Sequence, residues 1–392
     1  MKNIFLFSHT ACLFIFLVSP PLFAQEISIN DFLKQHWQRP LPPQGDAPLA
    51  LTTLESELNP KNCGTCHRRQ FADWRKSLHS QAMTSGLLGQ LQDMPADDLA
   101  QQQACIRCHA PLHQQASDTS EYIKNSEDKG QEQHGVMCAA CHVRNYQWFG
   151  PPSNKKLPEH LPHQGFQTHS AFEDSKFCAA CHQFKDNEYS LNGKLLENTY
   201  KEWQASPYAK KDVHCQNCHM PKRRHIWKGI HDKKTTRDGI TINIEAVNFD
   251  KNSIKTTLSV TNTGVGHAFP TYVTPKITVQ IVQLDEKGQP LIDTQQQQYI
   301  MRDVTLNVRK ELSDTRLLPD ESMRLDYQQP KHPQAQSLSY KIIVAPDYFY
   351  ARFYQAILTN GTAKKGKAHI QNALKNAKSS VYTLYEKTVK LP

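Results

Sequence analysis

Apolar and polar residues alternate along four stretches in the C-terminal part of the 392-residue chain. The four stretches are residues 240–246, 255–263, 276–284 and 338–345. Alternation with a period of two is typical of half-buried strands, and the run DEKGQP at 285–290 indicates a hairpin turn. We therefore predict an antiparallel β-sandwich over about 240–345, then helical spacing over 348–378 and a last strand that ends at Leu391.

The chain before residue 239 has a different pattern, in which apolar residues recur only over short segments. The clearest helical spacing links Phe71, Trp74, Leu78 and Ala82, and it predicts an amphipathic helix. The two patterns together predict the α+β class. We expect a mainly helical, loop-rich domain over 61–235, followed by an antiparallel β-sandwich domain over 239–392 with a helical tail.

The N-terminus has the pattern of a secretory signal peptide. Lys2 precedes an almost unbroken apolar run over 4–18, and small and apolar residues lead to Ala24. We predict a signal peptide over 1–24, a Pro-rich segment over 25–60, and a location in the periplasm or on the extracellular face of a Gram-negative bacterium. An uncleaved anchor is the alternative, although the run is shorter than the roughly 20 residues of a membrane span. We expect no transmembrane segment after cleavage.

The cysteines indicate the chemistry of the N-terminal domain. Eleven occur, and Cys12 lies inside the predicted signal peptide. The other ten form five pairs: Cys63 and Cys66, Cys105 and Cys108, Cys138 and Cys141, Cys178 and Cys181, Cys215 and Cys218. A histidine follows each pair directly: His67, His109, His142, His182 and His219. Five disulfides are the ordinary expectation for an exported chain, but they give no reason for these histidines.

The repeated Cys-x-x-Cys-His motif is specific for c-type haem. Two thiols one helical turn apart add to the two vinyl groups of one porphyrin, and the next residue supplies the proximal imidazole of the iron. Zinc is the alternative for such pairs, but it needs two halves per ion. We therefore predict five covalently bound haem c groups, attached through the ten cysteines and ligated by the five motif histidines.

Spacing and charge add two expectations. Residues 63–219 contain all five motifs, so the haems must pack closely enough for electrons to pass between them. The formal charge is +9, and its lysines and arginines are spread along the chain, which favours a solvated surface over a nucleic-acid site. Haem propionates would offset this charge, so the sequence charge is not a basis for predicting an acidic partner.

The second axial ligand of each iron decides between electron transfer and substrate chemistry. His79 is the first candidate. It follows His67 by twelve residues, about 18 Å along a continuous helix, so it would reach a different iron from His67. A solvated surface histidine is the alternative.

Five further histidines complete the candidates. They are His134 just before the third motif, His169 before the fourth, His225 and His231 after the fifth, and His267 in the Gly-rich run NTGVGHAFPT. His160 and His163 are rivals of His169. An ordinary loop histidine is the alternative for His267; as a ligand it would come from the β-domain.

The sequence resembles the multihaem cytochromes c related to cytochrome c-554. The resemblance rests on CHRRQFADWRKSLHS, CIRCHAPL, HGVMCAACH, FCAACHQF and YKEWQASPYAKKDVHCQNCHMP, with GHAFPT and DTRLLPDES similar to a β-domain fused behind such regions. It implies stacked and perpendicular haem pairs, mostly bis-His ligation, and His79, His134 and His225 as ligands. Cytochrome c-554 has four haems, so a fifth haem here prevents a one-to-one transfer of its ligand pairs to this sequence. The family is related in haem arrangement to hydroxylamine oxidoreductase and pentahaem nitrite reductase. The catalytic haems of the reductase relatives have special features such as a CxxCK attachment, and that motif is absent from this sequence, which lowers the expectation of an enzyme.

The sequence thus predicts an exported pentahaem cytochrome that passes electrons between a redox donor and a redox acceptor. Bis-His ligation favours low potentials, which suit anaerobic respiration. One alternative is an enzyme, a reductase or oxidase of a small nitrogen or sulfur compound at one open haem. Another is a subunit of a haem filament, so the choice between a homo-oligomer and a respiratory complex stays open.

Overall fold

The fold is described from a computed structural model. It describes residues 27–38, 40–95, 97–117, 119, 135–153, 162–250 and 253–392. The predicted signal peptide, the cleavage point before Gln25, and the candidates His134 and His160 lie outside these ranges. Within the described ranges, no helix combines the length and apolar character needed to cross a membrane.

Short helices dominate the part of the chain before residue 239. We call residues 61–235 the motif region, and the described residues before 61 are its N-terminal extension. In chain order the helices are α1 Ile29–His36, α2 Thr53–Ser56, α3 Pro60–Cys66, α4 Arg68–Trp74, α5 Ser85–Asp93, α6 Leu99–His109, α7 Cys138–His142, α8 Lys176–His182, α9 Thr199–Gln204, α10 Pro207–Lys210, α11 Cys215–His219 and α12 Lys233–Asp238. At several of these helices, an N-cap side chain accepts a hydrogen bond from a backbone N–H of the first turn. For example, the Asn59 side chain accepts the Lys61 N–H at the start of α3, with Pro60 in the first turn.

Five short strands connect these helices. They are β1 Val143–Arg144, β2 Gln147–Gly150, β3 Gln167–Thr168, β4 Ser190–Leu191 and β5 Lys194–Leu195. The first three form one small sheet, and β4 and β5 form a hairpin. Helices joined by such ribbons match the loop-rich region that the sequence predicts.

The helix expected after the first motif is shorter than predicted. It ends at Trp74, and turns occupy 75–81. The hydroxyl of Ser77 donates to the Trp74 carbonyl (2.7 Å) and accepts from the Ser80 N–H (3.3 Å), so side-chain bonds replace the next helical turn. Leu78 is consequently 50% exposed instead of buried.

Residues 239–392, called the β region below, contain most of the strands. In chain order they are β6 Ile240–Ile244, β7 Asn248–Asp250, β8 Ser253–Asn262, β9 Lys276–Leu284, β10 Gln296–Ile300, β11 Arg302–Val304, β12 Glu311–Asp314, β13 Ser322–Pro330, β14 Ser337–Ala345 and β15 Tyr382–Lys390. One antiparallel sheet has the order β10-β9-β14-β15, and another has the order β13-β8-β6, with β7 paired to β8.

The apolar faces of these two sheets share one core. Leu258 and Val260 come from the second sheet, Ile281 and Ile342 from the first, and all four are fully buried. The Tyr340 hydroxyl also bonds the Thr256 hydroxyl across the core at 2.9 Å. This arrangement confirms the predicted α+β class with antiparallel sheets in the C-terminal part.

Two helices of the β region return to the motif region. They are α13 Tyr348–Thr359 and α14 Lys367–Ser379, and α14 packs on α5. A Cβ atom added at Gly366 would lie 2.1 Å from the Gly89 carbonyl oxygen, so the two chains approach at a distance that only glycine allows.

A buried arginine fixes a second junction between the regions. Arg302 on β11 donates to the carbonyls of Leu195 (2.9 Å), Leu191 and Lys194 (both 3.1 Å), and it pairs with Glu311 at 2.8 Å. The β4–β5 hairpin of the motif region is thereby attached to the β region.

Candidate functional site

Each of the five motifs lies in a short helix, either forming the whole helix or occupying its C-terminal end. The helices α3, α6, α7, α8 and α11 carry them, with the two cysteines three positions apart and therefore on one helical face. None of the ten motif cysteines, all of them described, is in a disulfide. The local fold thus presents each thiol pair to a single partner, as attachment to one porphyrin requires.

The motif helices are brought together in two pairs. The thiols of Cys63 and Cys138 share a hydrogen bond, so the first and third motifs are adjacent. Cys178 and Cys215 share another, so the fourth and fifth motifs are adjacent. The hydrogen bond with Cys215, and then burial, raise the pKa of the Cys178 thiol far above its ordinary value.

Four of the five motif histidines face a second imidazole. The ring centroids are 6.3 Å apart for His67 and His163, 6.1 Å for His182 and His79, 6.1 Å for His142 and His225, and 6.3 Å for His219 and His267. A metal–imidazole bond of about 2 Å on each side separates two ring centroids by about 6 Å. The four pairs therefore fit a haem iron between their rings.

Burial favours the neutral form of several of these imidazoles, which leaves a nitrogen lone pair for a metal. It lowers the pKa of His79 to about 3 and that of His142 to about 4. Burial also lowers the pKa of His225 and of His267. Neighbouring imidazoles add to the effect at His79, where His182 is the nearest contributor.

Hydrogen bonds orient the motif histidines through Nδ1. This nitrogen lies 2.7 Å from the Ala82 carbonyl oxygen in His109, 2.8 Å from that of Phe149 in His142, and 2.8 Å from that of Lys228 in His219. In His182 the partner is the Tyr272 hydroxyl, at 2.7 Å. With Nδ1 engaged, Nε2 is the nitrogen that faces a metal.

His163 takes its position from a tight local turn. It has a left-handed backbone with φ of 60°, and its N–H donates to the Glu55 carboxylate at 2.8 Å. Its ring stacks on Trp148, with centroids 4.7 Å apart and planes at 20°. These contacts hold the ring against His67.

The segment after the fifth motif delivers His225. The Asp73 carboxylate accepts from the Arg224 guanidinium at 2.5 Å and from the His225 N–H at 3.2 Å. These bonds, those to Arg224 first, hold the pKa of Asp73 below its ordinary value. An anchored carboxylate on α4 thus places a histidine that is distant in sequence.

His79 and His267 reach their partners from outside the partner motifs. His79 lies in the turns after α4, where Trp227 packs on its ring edge-on at 4.6 Å. His267 lies in the loop between β8 and β9, where the Asn262 side chain donates to its carbonyl at 3.1 Å. As the sequence suggested, His79 faces the histidine of a different motif.

Two predicted ligands lie elsewhere. His169 stacks on Phe32 at 4.0 Å; its Nδ1 accepts the Ala171 N–H (3.0 Å) and its Nε2 lies 3.0 Å from the Ile27 carbonyl. Both nitrogens therefore have backbone partners. His231 has Nε2 at 3.1 Å from the Asp347 carboxylate. His134 lies outside the described residues, and no described imidazole ring lies opposite His109.

Sequence reasoning ranked His163 behind His169 and gave no role to Tyr272. Proximity to the fourth motif favoured His169, but chain distance does not decide which iron a loop histidine reaches. The signal that favours His163 is local: Pro162 and Gly165 flank it and permit the tight turn. No sequence pattern marked Tyr272.

Comparisons with known proteins show similarity at the level of sequence profile and of fold. Residues 62–147 match the profile of the family described as cytochrome c554 and c-prime. The fold resembles the crystal structure of a penta-haem cytochrome c552 from Thermochromatium tepidum, with a TM-score of 0.61 and 18% identity, over 85% of this chain and 98% of that chain. No curated protein matches the sequence. The profile match thus shows similarity to that family over residues 62–147, and the structural match shows a fold similar to that of the penta-haem cytochrome.

Proposed function

We propose that this chain is an exported pentahaem cytochrome c that transfers electrons between redox partners in the periplasm or at the outer face of the cell. The four facing imidazole pairs carry the proposal, because two histidines on one iron leave no position for a substrate. The haems, when bound, supply one-electron chemistry. The protein provides their spacing, their axial ligands and their surroundings.

The proposed ligand pairs are His67 with His163, His182 with His79, His142 with His225, and His219 with His267. His163 thereby replaces His169, and His231 is left as a partner of Asp347. The neutral state of the buried rings supports this assignment, as does the match of the ring separations to about 6 Å.

The contacts between motifs support an electron path through the chain. The first motif touches the third, and the fourth touches the fifth. His79, which extends from the first motif, faces His182 of the fourth. His79 therefore links the two motif pairs, because it follows the first motif in sequence but lies next to the histidine of the fourth motif.

Intact mass and spectroscopy test the proposal. The mature protein should have the mass of the chain from Gln25 plus five haems, and magnetic circular dichroism or EPR should show at least four low-spin bis-His haems. Fewer than five haem masses in fully matured protein would overturn the pentahaem assignment. Cell fractionation tests the location: the mature protein with its haems should be recovered from the periplasmic or extracellular fraction.

A matched pair of variants tests the ligand choice. His163→Ala should turn one low-spin haem high-spin, since it removes an axial imidazole. His169→Ala should leave all low-spin signals in place, because its nitrogens bond the backbone. The reverse result would return His169 to the ligand set.

His109 supports a second candidate function. No described imidazole lies opposite it, and an iron with one open position can bind a small nitrogen or sulfur compound. A high-spin signal at neutral pH that changes with nitrite, hydroxylamine or CO would favour this reductase function. Loss of a low-spin haem in His134→Ala would instead identify His134 as the fifth ligand and favour electron transfer alone.

A further inference from the structure

One loop of the β region reaches two of the iron sites. The loop joins β8 and β9 over residues 263–275. It carries His267, which faces His219 at 6.3 Å, and Tyr272, whose hydroxyl lies 2.7 Å from Nδ1 of His182. The fourth and fifth motifs are thus both contacted by one segment of the neighbouring region.

Tyr272 makes the fourth motif different from three of the others. The Nδ1 atoms of His109, His142 and His219 face backbone carbonyls, whereas His182 faces a phenol. A carbonyl oxygen accepts a hydrogen bond but has no proton to donate, so it does not extend a hydrogen-bond chain. A hydroxyl accepts one bond and donates another, so it can connect the imidazole to a longer chain.

The chain beyond Tyr272 ends at a carboxylate. The Thr199 side chain interacts with the Tyr272 hydroxyl and lowers its pKa, against the larger effect of burial. The hydroxyls of Thr199 and Thr271 lie 2.8 Å apart, and Thr271 donates to Glu202 at 2.8 Å. With Nε2 turned to the iron, Nδ1 of His182 must donate, and the Glu202 carboxylate can only accept. Both ends therefore fix every bond in one direction, toward Glu202.

Glu202 is itself firmly held. Its other oxygen accepts from the Arg316 guanidinium at 3.0 Å, with both side chains 7% exposed. The Ala268 N–H, next to His267, also donates to Glu202 at 3.2 Å. The carboxylate that ends the His182 chain thus also fixes the backbone beside the second imidazole of the His219 site.

We propose that Tyr272 tunes the reduction potential of the iron bound by His182, through a polarised hydrogen-bond chain that ends at Glu202. This inference rests on the ligand pairs of the proposed function. A stronger acceptor on Nδ1 makes the imidazole a better donor and favours ferric iron. Aligned hydroxyls reinforce one another, so the chain lowers this potential relative to a site with an unbonded Nδ1.

Potentiometric titration of three hydroxyl variants tests the proposal. Tyr272→Phe removes the acceptor, and we expect the ferric–ferrous equilibrium of this site to shift about tenfold toward ferrous, which is about 59 mV for one electron. Thr199→Val keeps the acceptor and breaks the chain behind it, so the shift should be smaller and in the same direction. Tyr208→Phe is the matched control, because that hydroxyl bonds the Thr263 carbonyl in the same loop.

Assignment of the site comes from His79→Ala, which should turn the His182 haem high-spin and so identify its spectrum. Failure of that variant to change any low-spin signal would count against the proposed ligand pairs. If the site is identified and five haems remain, an unchanged potential in Tyr272→Phe overturns the tuning role. Should Tyr272→Phe fail to mature, an unchanged potential in Thr199→Val overturns the chain. A shift of this potential in Tyr208→Phe as large as that in Tyr272→Phe would also overturn the tuning role.

Discussion

The β region and the motif region are built on different kinds of interior. Among the described residues, nineteen buried apolar side chains form a single core between the two sheets of the β region, whereas the apolar clusters of the motif region contain five each. Side-chain bonds to the backbone connect the motif region instead. The Trp74 indole donates to the Val136 carbonyl at 2.8 Å, and the Arg144 guanidinium donates to the His36 carbonyl at 2.7 Å.

This difference separates two ways of specifying a fold. Apolar burial of about 25 cal/mol per Å² can organise the β region without a cofactor. The motif region holds its imidazoles and thiols in pairs that face one another, so haem attachment is expected to complete its interior. Each of the following predictions tests that contrast, beginning with the largest expected effect.

The largest effect is expected from removing one attachment point. Cys138→Ala with Cys141→Ala should give a protein one haem short, and it should also disturb the first motif, because Cys63 contacts Cys138. Limited proteolysis should then cut the motif region while the β region survives. Equal digestion of both regions would contradict the contrast.

The β region was also the easier one to predict from sequence. Its alternating stretches became β6, β8, β9 and β14, because burial on one face imposes a period of two that is visible locally. The strand β10, QQQYI, was not predicted, because it is mostly polar and so lacks this alternation. It lies at the edge of its sheet, where a strand needs little apolar surface.

The candidate site was predictable only where chemistry fixes spacing. Covalent attachment demands two thiols and the next histidine, so the motifs were found without a structure. The facing imidazoles have no such constraint. His225 depends on Asp73, which is far away in sequence, and His163 depends on a turn and on Trp148. Tertiary contacts place these proposed ligands, and a local sequence pattern does not record such contacts.

The second prediction concerns the junction of the regions. Arg302→Leu should destabilise the protein by about 3–5 kcal/mol, because it leaves Glu311 buried without its partner and frees three carbonyls of the β4–β5 hairpin. Denaturant unfolding measures this, and hydrogen exchange at Leu191 and Leu195 should rise. Arg324→Leu, which removes an exposed pair with Glu245, should leave the unfolding curve unchanged. Equal effects of the two variants would argue against a buried junction.

A smaller effect is expected inside the β core. Ile342 on β14 is fully buried, so Ile342→Val should lower the free energy of unfolding by about 1 kcal/mol through one lost methylene. Haem content should stay at five, since the residue lies between the sheets. Ile292→Val, at a side chain 66% exposed, is the control. A loss of haem in Ile342→Val would show that the β core and haem attachment are not separable.

The smallest effect concerns pH at the same junction. Burial alone would raise the pKa of Asp314, but hydrogen bonds from Arg316 (2.9 Å) and Lys194 (2.6 Å) outweigh it and hold the pKa below its ordinary value. A depressed pKa means that this stabilisation is complete above the unfolded pKa of about 3.9 and is lost as the pH falls toward the folded pKa.

Denaturant unfolding between pH 7 and pH 3 should therefore show a steeper loss of unfolding free energy for the wild type than for Asp314→Asn. Asp326→Asn, at a carboxylate 71% exposed, should follow the wild-type slope. If Asp314→Asn also follows that slope, the acid sensitivity of the protein arises elsewhere, and the junction contributes equally across this range.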